Sequence, residues 1–217
     1  MKKRLLFLLL LLQFTLYAQK ESNNDTILPK LPNRKISGFL SLINDFTINE
    51  NQQFSSIGIG GAFLFANKFY FGGYGLGMIT SLHRSDILTD NILNNYQLNY
   101  AHGGLWLGII DSPNQKINTS FSIKLGWGAL FMYNINSTIN YNNYRDEFLV
   151  ITPQFETGIL ITNWLKLNIG FGVRFLNGIS TLYKDSKGNF SPVYHSSDYE
   201  GFITSFTLSF GNFSSKN

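Results

Sequence analysis

The sequence predicts an all-β fold: an eight-stranded antiparallel transmembrane β-barrel with up-and-down meander topology. Three observations predict it. Residues 165–175 alternate strictly, with Leu165, Leu167, Ile169, Phe171, Val173 and Phe175 at the odd positions and Lys166, Asn168, Gly170, Gly172 and Arg174 between them. That period of two marks a strand with one apolar and one polar face. Eight stretches are long enough to cross a bilayer at a tilt, which takes roughly 9–11 residues. The connections between them alternate between short and long.

The N-terminus comes first. Lys2, Lys3 and Arg4 precede an apolar run from Leu5 to Leu12, and Ala18 supplies a small residue for cleavage. A basic segment, a run too short to span and a small residue at the cut together read as a signal peptide over residues 1–18. Its removal leaves 14 basic against 13 acidic side chains, a net charge of about +1. The basic balance of the whole chain therefore gives no reason to expect a nucleic-acid partner. The chain has no Cys, which excludes both a lipid-anchored lipoprotein and a disulfide scaffold. Residues 19–35 are polar and contain Pro29 and Pro32, as expected of a leader without regular structure.

The eight strands are expected near residues 36–47, 54–66, 69–81, 96–110, 117–133, 148–162, 164–176 and 199–210, giving a barrel over 36–213 and a short tail at 214–217. Tight connections fall at Asn67-Lys68, at residues 111–116 and around Asn163; longer polar ones fall at about 48–53, 82–95, 134–147 and 177–198. Short turns at one end and long loops at the other are the pattern of bacterial outer-membrane barrels, with the short side periplasmic. Facing is plainest in the second half. The fifth strand sets Phe121, Ile123, Leu125, Trp127, Ala129 and Phe131 outward against Ser120, Ser122, Lys124, Gly126 and Gly128. The sixth sets Leu149, Ile151, Phe155, Ile159 and Ile161 against Thr152, Gln154, Glu156 and Gly158, and the last sets Phe202, Phe206, Leu208 and Phe210 against Gly201, Ser205, Thr207 and Ser209. The first strand is ambiguous, because Leu40 and Leu42 fall on one parity and Phe39 and Ile43 on the other.

With these strands and the ending Phe206-x-Leu208-x-Phe210, the chain resembles the OmpA/OmpX-type eight-stranded outer-membrane barrels. The Tyr-Ala-Gln around the signal cleavage point and the Asn- and aromatic-rich strands are similar to small barrels of Bacteroidota-type bacteria. The likeness spans residues 36–213 and is architectural. It implies residence in the cell outer membrane of a Gram-negative bacterium, amid outer-membrane lipid and lipopolysaccharide. In the leader, Asp25-Thr26-Ile27 resembles the O-glycosylation acceptor of such bacteria.

Lys124, Glu156 and Arg174 are inward-facing charges near the middle of consecutive strands. An eight-stranded barrel is only wide enough inside for side chains, and buried charges are costly unless paired. One carboxylate between two cations, with His102, Gln154 and Asn168 as further partners, is the expected polar plug of the lumen. The runs Gly58-Ile59-Gly60-Gly61, Gly73-Tyr74-Gly75-Leu76-Gly77 and Gly170-Phe171-Gly172 lie within strands, where no helix opens, so they do not read as phosphate loops; several of these glycines should line the narrow interior. Trp127 is expected to face lipid. Trp106 and Trp164 share parity with inward residues, and together with Tyr70, Tyr74, Tyr133 and Tyr194 they are expected near the membrane interfaces as anchors. Recognition belongs to the loops. Tyr141, Asn142 and Tyr144 in the third long loop offer adaptable contacts, and His83 and His195 lie in two others beside Ser and Asp residues.

The function expected is therefore non-enzymatic, with no cofactor: a structural element, a surface-recognition module or an accessory subunit of a larger outer-membrane complex for secretion or barrel assembly. The alternatives are a lipid-modifying hydrolase or acyltransferase built from Ser81-Leu82-His83-Arg84-Ser85-Asp86 or His195-Ser196-Ser197-Asp198, and a narrow channel.

Overall fold

Every strand here is built from β-branched and aromatic residues alternating with small or polar ones, the pattern that a sheet exposed to different environments on its two faces requires. The computed structural model describes residues 36–49, 53–66, 68–80, 96–111, 115–134, 145–179, 182–184, 190–192 and 196–213. Its strands are β1 (Ile36–Ile48), β2 (Gln53–Phe65), β3 (Phe69–Met78), β4 (Tyr96–Asp111), β5 (Ile117–Asn134), β6 (Arg145–Thr162) and β7 (Leu165–Asn177). Two three-residue strands, β8 (Leu182–Lys184) and β9 (Phe190–Pro192), and a single 3₁₀ turn at Ser196–Asp198 precede β10 (Gly201–Gly211). Each of β1–β6 pairs antiparallel with the next, β7 pairs with β10, and β10 returns to β1 to close an eight-stranded barrel. All eight strands begin and end within three residues of the expected positions. The hairpin β8–β9 is an addition: its residues fall in the stretch 177–198 that the sequence marks only as polar loop.

Which face meets which environment decides everything that follows. Leu40, Trp127 and Phe202 are 71%, 69% and 74% exposed, and they belong to a continuous outer belt of Ile, Leu and Phe from every strand. The buried residues of those same strands include Asp45, Lys124, Glu156, Lys166 and Arg174. A soluble barrel would reverse this arrangement, because no protein in water gains by hiding its charges and exposing so large an apolar surface. The ambiguity of β1 is resolved in the same way: Leu40, Leu42, Phe46 and Ile48 are outside, and Phe39, Ser41, Ile43, Asp45 and Thr47 inside.

Several of the glycines in the three runs line the interior as expected, namely Gly58 and Gly60 of β2 and Gly170 and Gly172 of β7, whereas Gly61 of β2 and Gly73, Gly75 and Gly77 of β3 lie on the outer face with Gly103 of β4. Conversely Tyr70, Tyr74 and Trp106 are not interfacial anchors; all three are buried inside the barrel. The reason is steric. Room inside a narrow barrel is made strand by strand, and here small inward residues sit opposite large ones: a Cβ on Gly60 would come within 3.1 Å of the Trp106 ring, and one on Gly108 would overlap the Tyr70 ring. Trp164 is at the β6–β7 turn, 58% exposed and stacked on Phe210 with ring centroids 6.3 Å apart. That turn is held by Thr162, whose hydroxyl accepts the backbone N–H of Leu165 at 3.1 Å. Beyond β10 the chain runs along it: Gly211 N–H donates to Trp164 O and Phe213 N–H to Asn163 O, which brings Phe213 under the barrel.

Candidate functional site

The short-turn end of the lumen is closed by rings. Phe39 of β1 meets Tyr70 of β3, Trp106 of β4 and Phe213 at centroid distances of 5.5, 5.7 and 5.8 Å, and Tyr70 meets Trp106 at 5.4 Å. The first two and the last are edge-to-face, the arrangement that aligns ring edges with neighbouring faces. Ile43, Leu64 and Ile110 fill the space around them.

Above this floor lies the ion cluster. A single carboxylate oxygen, Oδ2 of Asp45, accepts from Lys124 Nζ at 3.3 Å and from Arg174 Nη2 at 3.0 Å, and none of the three side chains is more than 1% exposed. The other arm of the guanidinium donates to Thr47 Oγ1 at 2.9 Å and to the hydroxyl of Tyr100, which in turn bonds Ser56. Lys124 Nζ also sits 5.9 Å from the ring centroids of Tyr74 and Trp106. His102 stacks on Tyr100 with planes 5° apart and bonds the Tyr74 hydroxyl through Nδ1 at 3.1 Å. The geometry is that of a charge cluster held by partners, which is the condition for tolerating it away from water.

The carboxylate between the two cations is thus Asp45, not Glu156. Glu156 is buried beside the cluster, where Ser122 Oγ donates to it at 2.7 Å; among the described residues the ion pairs of Lys124 and Arg174 go to Asp45. Gln154 Nε2 donates to Ser205 Oγ at 2.9 Å, and Asn168 is buried over Gly158 beside Lys166 and Asn118. All six expected lumen residues (Lys124, Glu156, Arg174, His102, Gln154 and Asn168) are therefore inside, but they divide between the ion cluster and a separate polar wall. Asp45 is detectable in the sequence: it shares parity with Ser41 and Thr47, opposite Leu40, Leu42 and Phe46. Tyr100, Thr47 and Ser56 carry no such signal, because a hydroxyl alone does not announce a guanidinium partner.

The long-loop end is capped as well. Tyr199, 1% exposed, reaches in against Phe54 and Tyr100 at 6.1 and 5.8 Å, and Phe148 closes on Tyr100 from β6. The 3₁₀ turn behind Tyr199 is fastened by Asn49, whose amide nitrogen lies 2.6 Å from Asp198 O and 3.2 Å from Glu200 O, while Glu200 Oε1 accepts the N–H of Leu176 at 2.9 Å. Tyr141, Asn142, Tyr144, His83 and His195, the segment Ser81–Asp86, Tyr194 and the leader motif Asp25-Thr26-Ile27 lie outside the described residues. Among those described, no three His, Asp or Glu side chains gather as metal ligands would.

Closed meander topology, an apolar outer belt and a charged, filled interior together decide the setting. The chain is an outer-membrane β-barrel. No family model matches the sequence and no curated protein matches it closely. Solved structures carry the same fold at low identity. Neisserial surface protein A is similar with a TM-score of 0.53 at 7% identity, over 81% of this chain and 96% of that one. Ail, the attachment invasion locus protein of Yersinia pestis, gives 0.45 at 6% over 82% and 97%, and a major outer membrane protein from Thermus thermophilus gives 0.44 at 8% over 80% and 98%.

Proposed function

We propose that this barrel is a non-conducting, non-enzymatic scaffold that presents a recognition surface at its long-loop end, outside the cell. The observation that carries the reading is the unequal height of the wall. β4, β5 and β6 have 16, 18 and 18 residues against 10–13 in the other barrel strands. A crossing needs only about 9–11. The surplus is at the long-loop end: β3 pairs β4 up to Gly77↔Ala101, leaving Tyr96–Tyr100 beyond it, and β7 pairs β6 up to Asn177↔Leu149, leaving Arg145–Phe148 beyond that. A three-stranded extension, stiffened by the pairs Tyr96↔Asn134 and Phe131↔Arg145, ends where the 135–144 connection with Tyr141, Asn142 and Tyr144 begins. Rigid strands under a Tyr- and Asn-rich loop are what recognition asks of a scaffold.

The interior supports the same reading, since an aromatic floor, a paired ion cluster and a Tyr199 cap are stacked along the axis. The signal peptide at residues 1–18, the Bacteroidota-type affinity and contact of the rim with lipopolysaccharide or with a larger complex belong to this proposal too. To test it, residues 135–144 are replaced by a Gly-Ser linker and the full-length barrel is purified from its own membranes in mild detergent. A partner or lipopolysaccharide retained by the unaltered chain and lost from the replacement is expected. Stepwise conductance in planar bilayers, or altered lipid profiles on deletion, would overturn it in favour of a channel or a lipid-modifying enzyme.

A further inference from the structure

The outer belt is not uniform. On β5, β6, β7 and β10 it presents Phe121, Phe155, Phe171 and Phe206, whereas on β1–β4 the outer Phe46, Phe63, Phe65, Phe69 and Phe71 are interrupted by a carboxamide and a floor of glycine. Asn44 lies on the outer face of β1 with Leu40 and Leu42 on one side along the strand and Phe46 and Ile48 on the other, all four of them 40–71% exposed. Its row neighbours Ile57 and Phe206 are also exposed and apolar. It is therefore a polar group inside the hydrocarbon belt, where polar side chains are expensive and mark function. Ser55 Oγ donates to its Oδ1 at 3.0 Å; among the described residues its amide nitrogen donates to nothing. Beside it runs a groove of about 720 Å³, floored by Gly61, Gly73 and Gly75 and rimmed by Leu40, Leu42 and Ile59.

We propose that this face is the interface of a homodimer formed within the membrane. Between segments in lipid there is no hydrophobic drive, so association rests on close packing at small residues and on hydrogen bonds between polar side chains. The face supplies both, and in a self-complementary form. A carboxamide is donor and acceptor at once, so Asn44 can pair with its own copy across a two-fold axis while keeping the Ser55 bond on a second lone pair. The Leu40–Leu42–Ile59 ridge stands next to the glycine groove, so the same rotation lays each ridge in the other copy's groove. A long-chain lipid could fill the groove but would leave the amide nitrogen without an acceptor.

The absence of Cys from the chain makes the test clean. In native membranes, Leu42→Cys is treated with a short membrane-permeant thiol–thiol crosslinker, with Phe155→Cys on the opposite wall as the control. A covalent homodimer is expected from the first and not from the second. Gly75→Leu should abolish it: a Cβ at Gly75 meets nothing within 4 Å, so the barrel still folds, as its heat-modifiable migration on gels would show. Asn44→Leu should weaken dimerisation by about tenfold in mild detergent, the size expected for one such hydrogen bond in a membrane. No homodimer, equal crosslinking at both positions, a product containing another protein, or indifference to both Gly75→Leu and Asn44→Leu would each overturn the proposal.

Discussion

On the lumen side of β1–β4 stand Phe39, Tyr70, Tyr74 and Trp106; on that of β5–β7 and β10 stand Ser120, Ser122, Gln154, Asn168, Ser205 and Thr207. The outer faces differ in the opposite sense above the short-turn end: there β2–β4 carry Gly61, Gly73, Gly75, Gly77 and Gly103, while Phe63, Phe65, Phe69 and Phe71 keep the belt bulky next to the turn, and β5–β7 and β10 carry Phe121, Phe155, Phe171 and Phe206. Over that patch one wall is thick inward and thin outward, the other thin inward and thick outward. The two meet along the ion cluster: Asp45 reaches from β1 to Lys124 on β5 and Arg174 on β7, across the width of the barrel. A closed barrel of fixed circumference has a fixed interior volume, and this one fills it from one side with rings and from the other with hydrogen-bonded polar groups. The rings contribute packing. The polar wall contributes hydrogen bonds such as Ser122 to Glu156 and Gln154 to Ser205, and the Asp45 bridge ties the two together.

The largest expected effect is at that bridge. Asp45→Asn removes the carboxylate shared by both cations and leaves two positive charges buried without their ion-pair partner. Breaking a buried pair in this way costs about 3–5 kcal/mol, which should appear as a lower urea midpoint in lipid vesicles at unchanged slope. Glu156→Gln should cost much less, about 1 kcal/mol, because the amide oxygen still accepts from Ser122 and, among the described residues, the ion pairs of Lys124 and Arg174 go to Asp45. If Glu156→Gln proved the more damaging of the two, the assignment of Asp45 as the bridge between walls would fail.

The same contrast explains what is readable from the sequence. The strands β5, β6, β7 and β10 alternate by size, so bulky means outside and small means inside, and every inward residue named on them from sequence is inward in the structure. On β3 the size rule fails. Phe69 and Phe71 are outside, but so are Gly73, Gly75 and Gly77, with Tyr70, Tyr74 and Leu76 inside, and nothing in ten residues of one strand states which parity faces lipid. That choice is made by closure, through contacts such as Ser41 Oγ with Ser209 Oγ at 2.8 Å, 168 residues apart, and Lys124 with Asp45. Aromatic girdles are common, which makes Trp106 and Tyr70 read as interfacial, but a ring that finds a glycine opposite it can pack inside. On β1 two apolar parities compete, so Asp45, although it shares parity with Ser41 and Thr47, is given a face only when the sheet closes. The raised wall of β4–β6 is partly legible, since the expected spans 96–110, 117–133 and 148–162 are already the longest, but Arg145–Glu147 of β6 read only as polar connection.

A second way to sharpen the comparison is to thicken the wrong side of each wall. Gly108→Ala places a methyl into the Tyr70 ring, which is held by Phe39 and Trp106 and cannot retreat. Overpacking of this kind costs about 1–3 kcal/mol. A double-mutant cycle with Tyr70→Leu should recover part of it, because the smaller side chain vacates the contact. Full additivity would mean that the glycine serves the backbone of β4 rather than the ring.

The smallest effect separates the outer glycines from the inner ones. Gly75→Ala adds its methyl to the outer face, where nothing lies within 4 Å, whereas a Cβ at inward Gly104 would run into the backbone carbonyl of Leu125. The first substitution relieves the conformational freedom of glycine in a strand interior and should be neutral or stabilise by up to about 0.5–1 kcal/mol. The second should destabilise, because a neighbouring strand cannot move aside as a side chain can. Unfolding midpoints of the two variants, measured in the same vesicles, should therefore move in opposite directions. Equal losses at both would show that neither the outer face of β3 nor the inner face of β4 tolerates a side chain, and the distinction between an open outer face and a crowded inner one would be gone.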